Sequence, residues 1–536
     1  MRDTDDAIYR QQWLSRDIFR WPGVGHWGFV FLVKAALAWQ GILTLQMALN
    51  IALIAVLIIP VKTGVLNVLR HLLVGIALAV LTYSESSLPP FQSVMDNLAQ
   101  MAQFSFGYWL ELSSRYLDMA VISWLVVALV IYLYLANIVR ITPVVLIALI
   151  STTLAQPQQS VLAPALASAE SKTQKPEDET PTQFLQQFYQ QQNTTTGLPG
   201  DFDIEQFNQS GTDVLIVNIC SLSWQDIRQS DIDSHPLFSD VDLILTQYNS
   251  VSSYSGPSAL RVLQANCGQR PHSELFQTAR ECLVAEQFAQ INAPAELLMN
   301  HDGEFDNFST LMQRQGGLNY QPASREGVPV SMLSFDGSPI YTDYEVMARW
   351  LQQRSDGNNF TFYNSISLHD GNRLVGSNLD SYESYARRAE RLLDDIMDLF
   401  EDIEQQQRNM LVLIVPEHGA GLGGDGLQLR GVREFPTPGL THVPVLMKWF
   451  GQHQYDGEPV EVDARTSQSA LTTLIYRTLQ QRPYATDGSY SPQALAREIN
   501  AIDWVAENKN AKVMKYQSQW LLKVSNQNWV PFEASR

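Results

Sequence analysis

Two short apolar runs deliver zinc-type ligands at their carboxyl ends. VLIVNIC (214–220) finishes on Cys220, and MLVLIVP (410–416) is followed by Glu417, His418 and Gly419. Thiolate, carboxylate and imidazole are donors that zinc accepts. A further run, FTFYNSIS (360–367), is followed by Leu368, His369 and Asp370. Singly, each group has a plain structural reading: a cysteine after a strand packs in the core, and a Glu-His pair occupies a loop. Together they point to a metal centre, because a parallel sheet can gather separate strand ends in one place.

A candidate nucleophile lies between them in sequence. In SVSSYSGPSALRVLQ (250–264), Gly256 and Pro257 read as the entry to a helix starting near Ser258, with Ser255 just ahead of its first turn. Free N–H groups and the helix dipole favour an anion there. A serine in that position is by itself an N-cap. It becomes a nucleophile if something lowers the pKa of its hydroxyl, as zinc does for bound water. Cys220, Cys267 and Cys282 are an odd number of cysteines, so at least one is free or a ligand. Cys267 and Cys282 lie close together in a polar segment. In an exported domain a disulfide between them would stabilise by about 3 kcal/mol, leaving Cys220 unpaired.

The elements that must position these residues belong to an α/β domain beginning at Asp213. Short β-branched runs at 295–300, 330–335 and 443–449 join the three already named, with helical patterns between them. The clearest helix is expected over 381–408, where Tyr385, Ala389, Leu392, Ile396, Leu399 and Ile403 form one face. This alternation predicts a mostly parallel central sheet with helices on both faces and ligands at the strands' carboxyl ends. Trp224, Trp350 and Trp449 offer faces for sugar stacking or bulk for the core.

The amino-terminal part is built for a different solvent. Residues 29–59 are predominantly apolar, and at about 1.5 Å rise per residue they exceed one bilayer core of about 30 Å. With later apolar runs, residues 1–155 are expected to form a multi-pass membrane domain of about five helices, near 29–45, 47–61, 66–83, 119–139 and 142–155. Arg2, Arg10, Arg16 and Arg20, then Lys62 and Arg70, then Arg140, set their segments inside. The connection 84–118 has only Arg115 beside Glu85, Asp96, Glu111 and Asp118, and belongs outside with everything after 155. A cleaved signal peptide fits poorly, because the apolar region runs on past one h-region. Residues 156–212, rich in Gln, Pro, Ser and Thr, read as a flexible linker to a catalytic domain over 213–536. A net charge of −19 with no basic stripe excludes a nucleic-acid partner.

In order, NICSLSWQD, SYSGPSALRVL, FDGSPIYTD, FYNSISLHDGN, VPEHG and NWVPF resemble the cellulose phosphoethanolamine transferase family, the G component of the bacterial cellulose synthesis (Bcs) system. That family is similar to the alkaline phosphatase and sulfatase superfamily, and the resemblance runs over essentially the whole chain. It implies Ser255 as the nucleophile that becomes a covalent phosphoethanolamine-serine. It implies Cys220, Glu417 and His418 as zinc ligands with the Ser255 oxygen as the fourth, and Tyr254, His369 and Arg433 as further active-site positions. Cys267 and Cys282 match a family disulfide. Phosphatidylethanolamine is the implied donor, a glucose 6-hydroxyl of emerging cellulose the acceptor, and the cellulose synthase complex the partner. The implied location is the bacterial inner membrane, amino terminus cytoplasmic and carboxyl-terminal domain periplasmic.

Two departures stand out. A thiol at 220 and a glutamate at 417 differ from the usual carboxylate pattern of the wider superfamily, and His442 stands where the family often has Asp. Competing readings are an alkaline phosphatase-like phosphodiesterase, with water as acceptor, and a scaffold that stabilises the cellulose synthase. A sulfatase fits less well, since Cys220 is followed by SLSW and lacks the Cys-x-Pro-x-Arg context of that class.

Overall fold

The computed structural model describes residues 23–534 apart from 41–42, 62–63, 87–94, 96–97, 99–101, 117–118, 156–179, 321–324 and 355–356. The chain divides into two compact units, residues 1–90 with 113–173 and residues 91–112 with 174–536.

In the first unit, helices Trp27–Trp39, Met47–Ile58, Gly64–Glu85, Met119–Leu135 and Ile141–Ala155 fall on the apolar runs. Among the described residues, Gly64–Glu85 is the one helix long and apolar enough to cross a membrane, and the other apolar helices are shorter. The orientation argument leans on Arg2, Arg10, Arg16, Arg20, Lys62, Asp96 and Asp118, which lie outside the described residues. Lys34, Asn50 and Glu85 are buried and join three helices: Lys34 Nζ pairs with Glu85 and donates to Asn50 Oδ1 at 2.8 Å. Polar groups in apolar surroundings must satisfy one another, and these do.

The longer segment of the second unit begins inside the stretch read as a linker, and helices there correct that expectation from residue 180 onward. Thr180 caps helix Pro181–Gln192 through a capping box with Gln183, and Leu185 and Phe188 on one face are buried. A shorter helix, Ile204–Asn208, buries Phe207. The polar composition concealed one-sided helices whose few apolar residues share a face. The first 24 residues of that linker, 156–179, lie outside the described residues.

The strands are β1 Asp213–Ile219, β2 Leu243–Asn249, β3 Ala295–Met299, β4 Val330–Leu333, β5 Pro339–Tyr341, β6 Asn359–Ser365, β7 Arg373–Leu374, β8 Met410–Pro416, β9 His442–Phe450 and β10 Val460–Val462. Seven form the central sheet in the order β10-β2-β9-β8-β1-β6-β3. Its pairs are parallel except those made by β9, which runs antiparallel to both β2 and β8. The mainly parallel sheet is present, with one reversed strand. The run 330–335 is a second correction: β4 leaves the central sheet and pairs with β5 and β7 in a small sheet of three. Val330 and Leu333 are exposed and of its four residues Met332 alone is buried, so it borders solvent, which a strand covered on both faces does not. A third sheet of four strands closes the carboxyl end, between Val505 and Phe532.

Side chains alternate across the central sheet as the pleat requires. Val214 and Ile216 of β1 enter one core, and Leu215, Val217 and Ile219 enter the other. Helix Tyr385–Gln405 covers the second face, with Tyr385, Ala389, Leu392, Ile396, Leu399 and Ile403 all buried. The β1–β8 register sets Ile219 opposite Pro416, so Cys220 and Glu417 emerge side by side at the carboxyl end of the sheet.

Candidate metal and nucleophile centre

The strand ends are stitched together by their own backbone. Cys220 N donates to Ser365 O at 2.9 Å, Glu417 N to Ile219 O at 2.8 Å, and Leu222 N to His418 O at 2.7 Å. Cys220 Sγ, a Glu417 carboxylate oxygen and a His418 ring nitrogen thereby lie within 4.8 Å of one another, all three residues buried. Ser255 Oγ completes the group, 3.3 Å from Cys220 Sγ and 3.2 Å from His418 Nε2. The structure brings all four residues to one point.

Their environment fits a divalent cation. His418 Nδ1 lies 2.9 Å from the Gly419 carbonyl, which can only accept, so Nδ1 carries the proton and Nε2 keeps its lone pair. Glu417 Oε2 is buried without a hydrogen-bond partner. Burial, with the Glu417 charge adding, pushes the Cys220 thiol up to about 12. Burial likewise pushes Glu417 up to about 7 and holds His418 well below the ordinary histidine value. A protein-only site drives both anions toward neutral, and a cation supplies the missing counter-charge. Thiolate, carboxylate and imidazole in a set that small suit zinc.

The surrounding scaffold holds this arrangement. Ser221 sits at φ +71°, a left-handed conformation costing an L-residue about 1–3 kcal/mol, and Tyr385 Oη donates to its carbonyl at 2.5 Å. Ser223 and Asp226 form a capping box, and Asp226 Oδ2 also accepts from Ala420 N at 2.7 Å, which ties down the loop after His418. Gly419 is required at the contact: a Cβ there would stand 2.6 Å from Ser223 Oγ.

Helix Ser255–Leu263 starts at Ser255, with Tyr254 at the N-cap position and no side-chain cap, not near Ser258 as its sequence suggested. Pro257 is thus the third helical residue, where its missing N–H still costs no helical bond. Ser255 lies on the first turn, among the free N–H groups. The loop leading to it is braced by Asn508, whose Oδ1 accepts from Ser252 Oγ at 2.9 Å and whose Nδ2 donates to Ser253 Oγ at 2.7 Å.

Ser255 opens on a cavity of about 480 Å³ that Tyr254, His369 and Arg433 also line. Tyr254 Oη donates to Glu434 Oε2 at 3.0 Å, and burial followed by the Glu434 charge raises its pKa. His369 Nδ1 donates to the Asp370 carbonyl at 2.7 Å, leaving Nε2 as acceptor. Burial and then the Arg433 charge hold it down to about 4. Arg433 donates to Ser221 Oγ at 3.4 Å. Cys267 and Cys282 form a disulfide, S–S 2.06 Å, and Cys220 is a free buried thiol.

Other residues fall elsewhere. His442 bonds to Thr246 O at 2.7 Å at the start of β9 and lines neither cavity nor cluster. Trp449 and Trp350 are buried in the two cores, and Trp224 packs against the second, so none is placed to stack on a sugar in the cavity. The cavity's phenyl and phenol lining comes instead from Phe104, Tyr108, Tyr254, Phe276, Phe305, Phe308 and Phe335. Sequence reading also missed Asn364, which donates to Glu417 Oε1 at 2.7 Å and to Asn218 Oδ1 at 2.9 Å. An asparagine inside an otherwise apolar strand, FTFYNSIS, was the available signal, since a buried amide there must find partners.

Comparison with known proteins covers nearly the whole chain. Residues 165–529 match the family model described as "Cellulose biosynthesis protein BcsG C-terminal domain", and residues 27–154 match that of the BcsG N-terminal domain. The chain is 32% identical to the cellulose biosynthesis protein BcsG of Salmonella typhimurium over 96% of its length and 97% of that protein. Its identity to the Escherichia coli protein of the same name is also 32%, over the same shares. Among solved structures it is similar to an alkaline phosphatase superfamily protein from Vibrio parahaemolyticus: TM-score 0.45, 11% identity, covering 67% of this chain and 92% of that one. It is also similar to the periplasmic domain of EcEptC from Escherichia coli: TM-score 0.39, 13% identity, covering 60% and 96%. By both family models and by identity across nearly its whole length, the chain belongs to the BcsG family of cellulose biosynthesis proteins.

Proposed function

We propose that this chain is a multi-pass inner-membrane enzyme that moves phosphoethanolamine from phosphatidylethanolamine to the glucose 6-hydroxyl of nascent cellulose. The observation that carries the reading is Ser255 Oγ, at a helix amino end and within 3.3 Å of both Cys220 Sγ and His418 Nε2. Family membership supports cellulose as the acceptor and the cellulose synthase complex as the partner. The charge asymmetry of the loops supports a cytoplasmic amino terminus and a periplasmic catalytic domain.

Cys220, Glu417 and His418 would hold zinc beside Ser255. Bound there, zinc supplies Lewis acidity, lowering the pKa of a neighbouring hydroxyl and drawing charge from phosphoryl oxygens. Ser255 Oγ attacks the donor phosphorus, and the first-turn N–H groups face the charge that develops on its oxygens. The P–Oγ bond forms as the bond from phosphorus to the glycerol oxygen breaks, and the proton lost by Ser255 balances the one diacylglycerol takes up. In the second half, His369 Nε2, neutral and unprotonated, accepts the proton of the sugar hydroxyl as that oxygen attacks phosphorus. The P–Oγ bond breaks and the proton returns to Ser255. Tyr254 and Arg433 border the same cavity and bind the phosphoryl group.

Mass spectrometry of cellulose made with the intact chain and with Ser255→Ala tests the reading. Loss of the phosphoethanolamine mark with polymer yield largely kept is expected. A mark that persists removes Ser255 as the nucleophile, and free phosphoethanolamine without marked polymer would point to hydrolysis.

A further inference from the structure

One wall of the cavity beside Ser255 comes from a distant part of the chain. Phe104 and Tyr108 line it, although the remainder of the lining begins at Tyr254. Both lie in the connection between apolar helices Gly64–Glu85 and Met119–Leu135, yet residues 102–112 belong to the unit that holds the α/β fold. The seat is well defined. Ser105 N donates to Phe335 O at 2.9 Å, and Tyr108 Oη donates to Asp370 Oδ2 at 3.0 Å. Arg373 donates to Gly107 O at 3.0 Å and pairs with buried Glu111 at 2.9 Å. Gly371, at φ +83°, lets the tyrosine approach: a Cβ there would stand 2.6 Å from Tyr108 Cε2.

What this segment adds is phenyl surface. Ring centroids of Phe104 lie 5.0 Å from Tyr108 and 5.6 Å from Phe335, and Phe335 packs 4.6 Å from Phe305 and 4.8 Å from His369. Phenyl rings offer no hydrogen bond to a sugar's hydroxyl rim and present apolar area to hydrocarbon; stacking of a sugar face on them is the competing use that the acceptor KM distinguishes. Phe106 and Leu110 are exposed on the same short helix, Phe106–Tyr116, and Met119–Leu135 follows two residues after it.

We infer that Phe104 and Tyr108 form a donor-specificity wall that packs against the glyceride and proximal acyl carbons of the lipid whose phosphorus reaches Ser255. The inference rests on the lipid donor proposed above. It is tested on the full-length chain with two donors sharing one head group and one leaving oxygen: long-chain phosphatidylethanolamine in nanodiscs, and water-soluble glycerophosphoethanolamine. In Phe104→Ala, the ratio of kcat/KM for the lipid to that for the soluble donor should fall about tenfold, and Phe104→Leu should recover most of it. An unchanged ratio overturns the wall, as does a rise in KM for a cello-oligosaccharide acceptor in place of the lipid. Turnover of both donors that survives Ser255→Ala would instead sink the parent reading, and the wall with it.

Discussion

Asn364→Ala isolates the group that aims the candidate metal-binding carboxylate. The Asn364 amide donates to Glu417 Oε1 at 2.7 Å and to Asn218 Oδ1 at 2.9 Å, while its own oxygen accepts from His301 Nε2 at 2.9 Å. Of these three bonds only the first touches a candidate ligand. A hydrogen bond to a charged acceptor contributes about 1.5–3 kcal/mol. Each tenfold change in affinity is about 1.4 kcal/mol, so its loss predicts zinc binding weakened by about 10–100-fold. Groups that orient metal ligands elsewhere show the same range. The assay is competition against a chromophoric chelator, with circular dichroism to show that the sheet survives the loss of the Asn218 and His301 contacts. Affinity within about threefold of the parent, in a folded variant, would refute the claim that Glu417 is held for a metal.

Three further outcomes are expected. The parent chain should bind about one zinc ion and Cys220→Ala far less, by elemental analysis of the purified protein; equal content would take Cys220 out of the ligand set. Gly419→Ala should lower stability by about 1–3 kcal/mol in denaturant titration, because the new methyl meets the Ser223–Asp226 capping box; an unchanged midpoint would show that the loop yields freely. Asp395 gives a pH signature remote from the metal: burial, with the Asp343 charge adding, pushes its carboxyl from 3.8 up to about 7. Between those values the folded chain keeps a proton that the unfolded chain has lost. This group's contribution is therefore fully present below about pH 4 and is lost as pH rises through about 7. Asp395→Asn keeps an acceptor for Tyr344 N, so Tm should rise at about pH 8 and change little at about pH 4; the reverse order would contradict the assignment.

The parts of the fold that were legible in sequence are those where one period dominates. Helix Tyr385–Gln405 repeats apolar residues every three or four positions, and β1, β6 and β8 are buried along their whole length. The candidate ligands were legible because they follow those strands directly. β2 escaped notice because polar Thr246 and Gln247 interrupt it, at a register shift between Leu245 and Tyr248. The direction of β9 and the departure of β4 from the central sheet are set by tertiary pairing, which no local pattern encodes. The same limit hid Phe104 and Tyr108, whose neighbours in the cavity lie more than a hundred residues away.

The most direct measurement is peptide mapping by mass spectrometry of the full-length chain after incubation with isotope-labelled phosphatidylethanolamine and no acceptor. The account predicts one labelled phosphoethanolamine group on the peptide carrying Ser255, lost when a cello-oligosaccharide is added and absent from Cys220→Ala. Label on another residue, or label on Ser255 that forms equally well without Cys220, would contradict it.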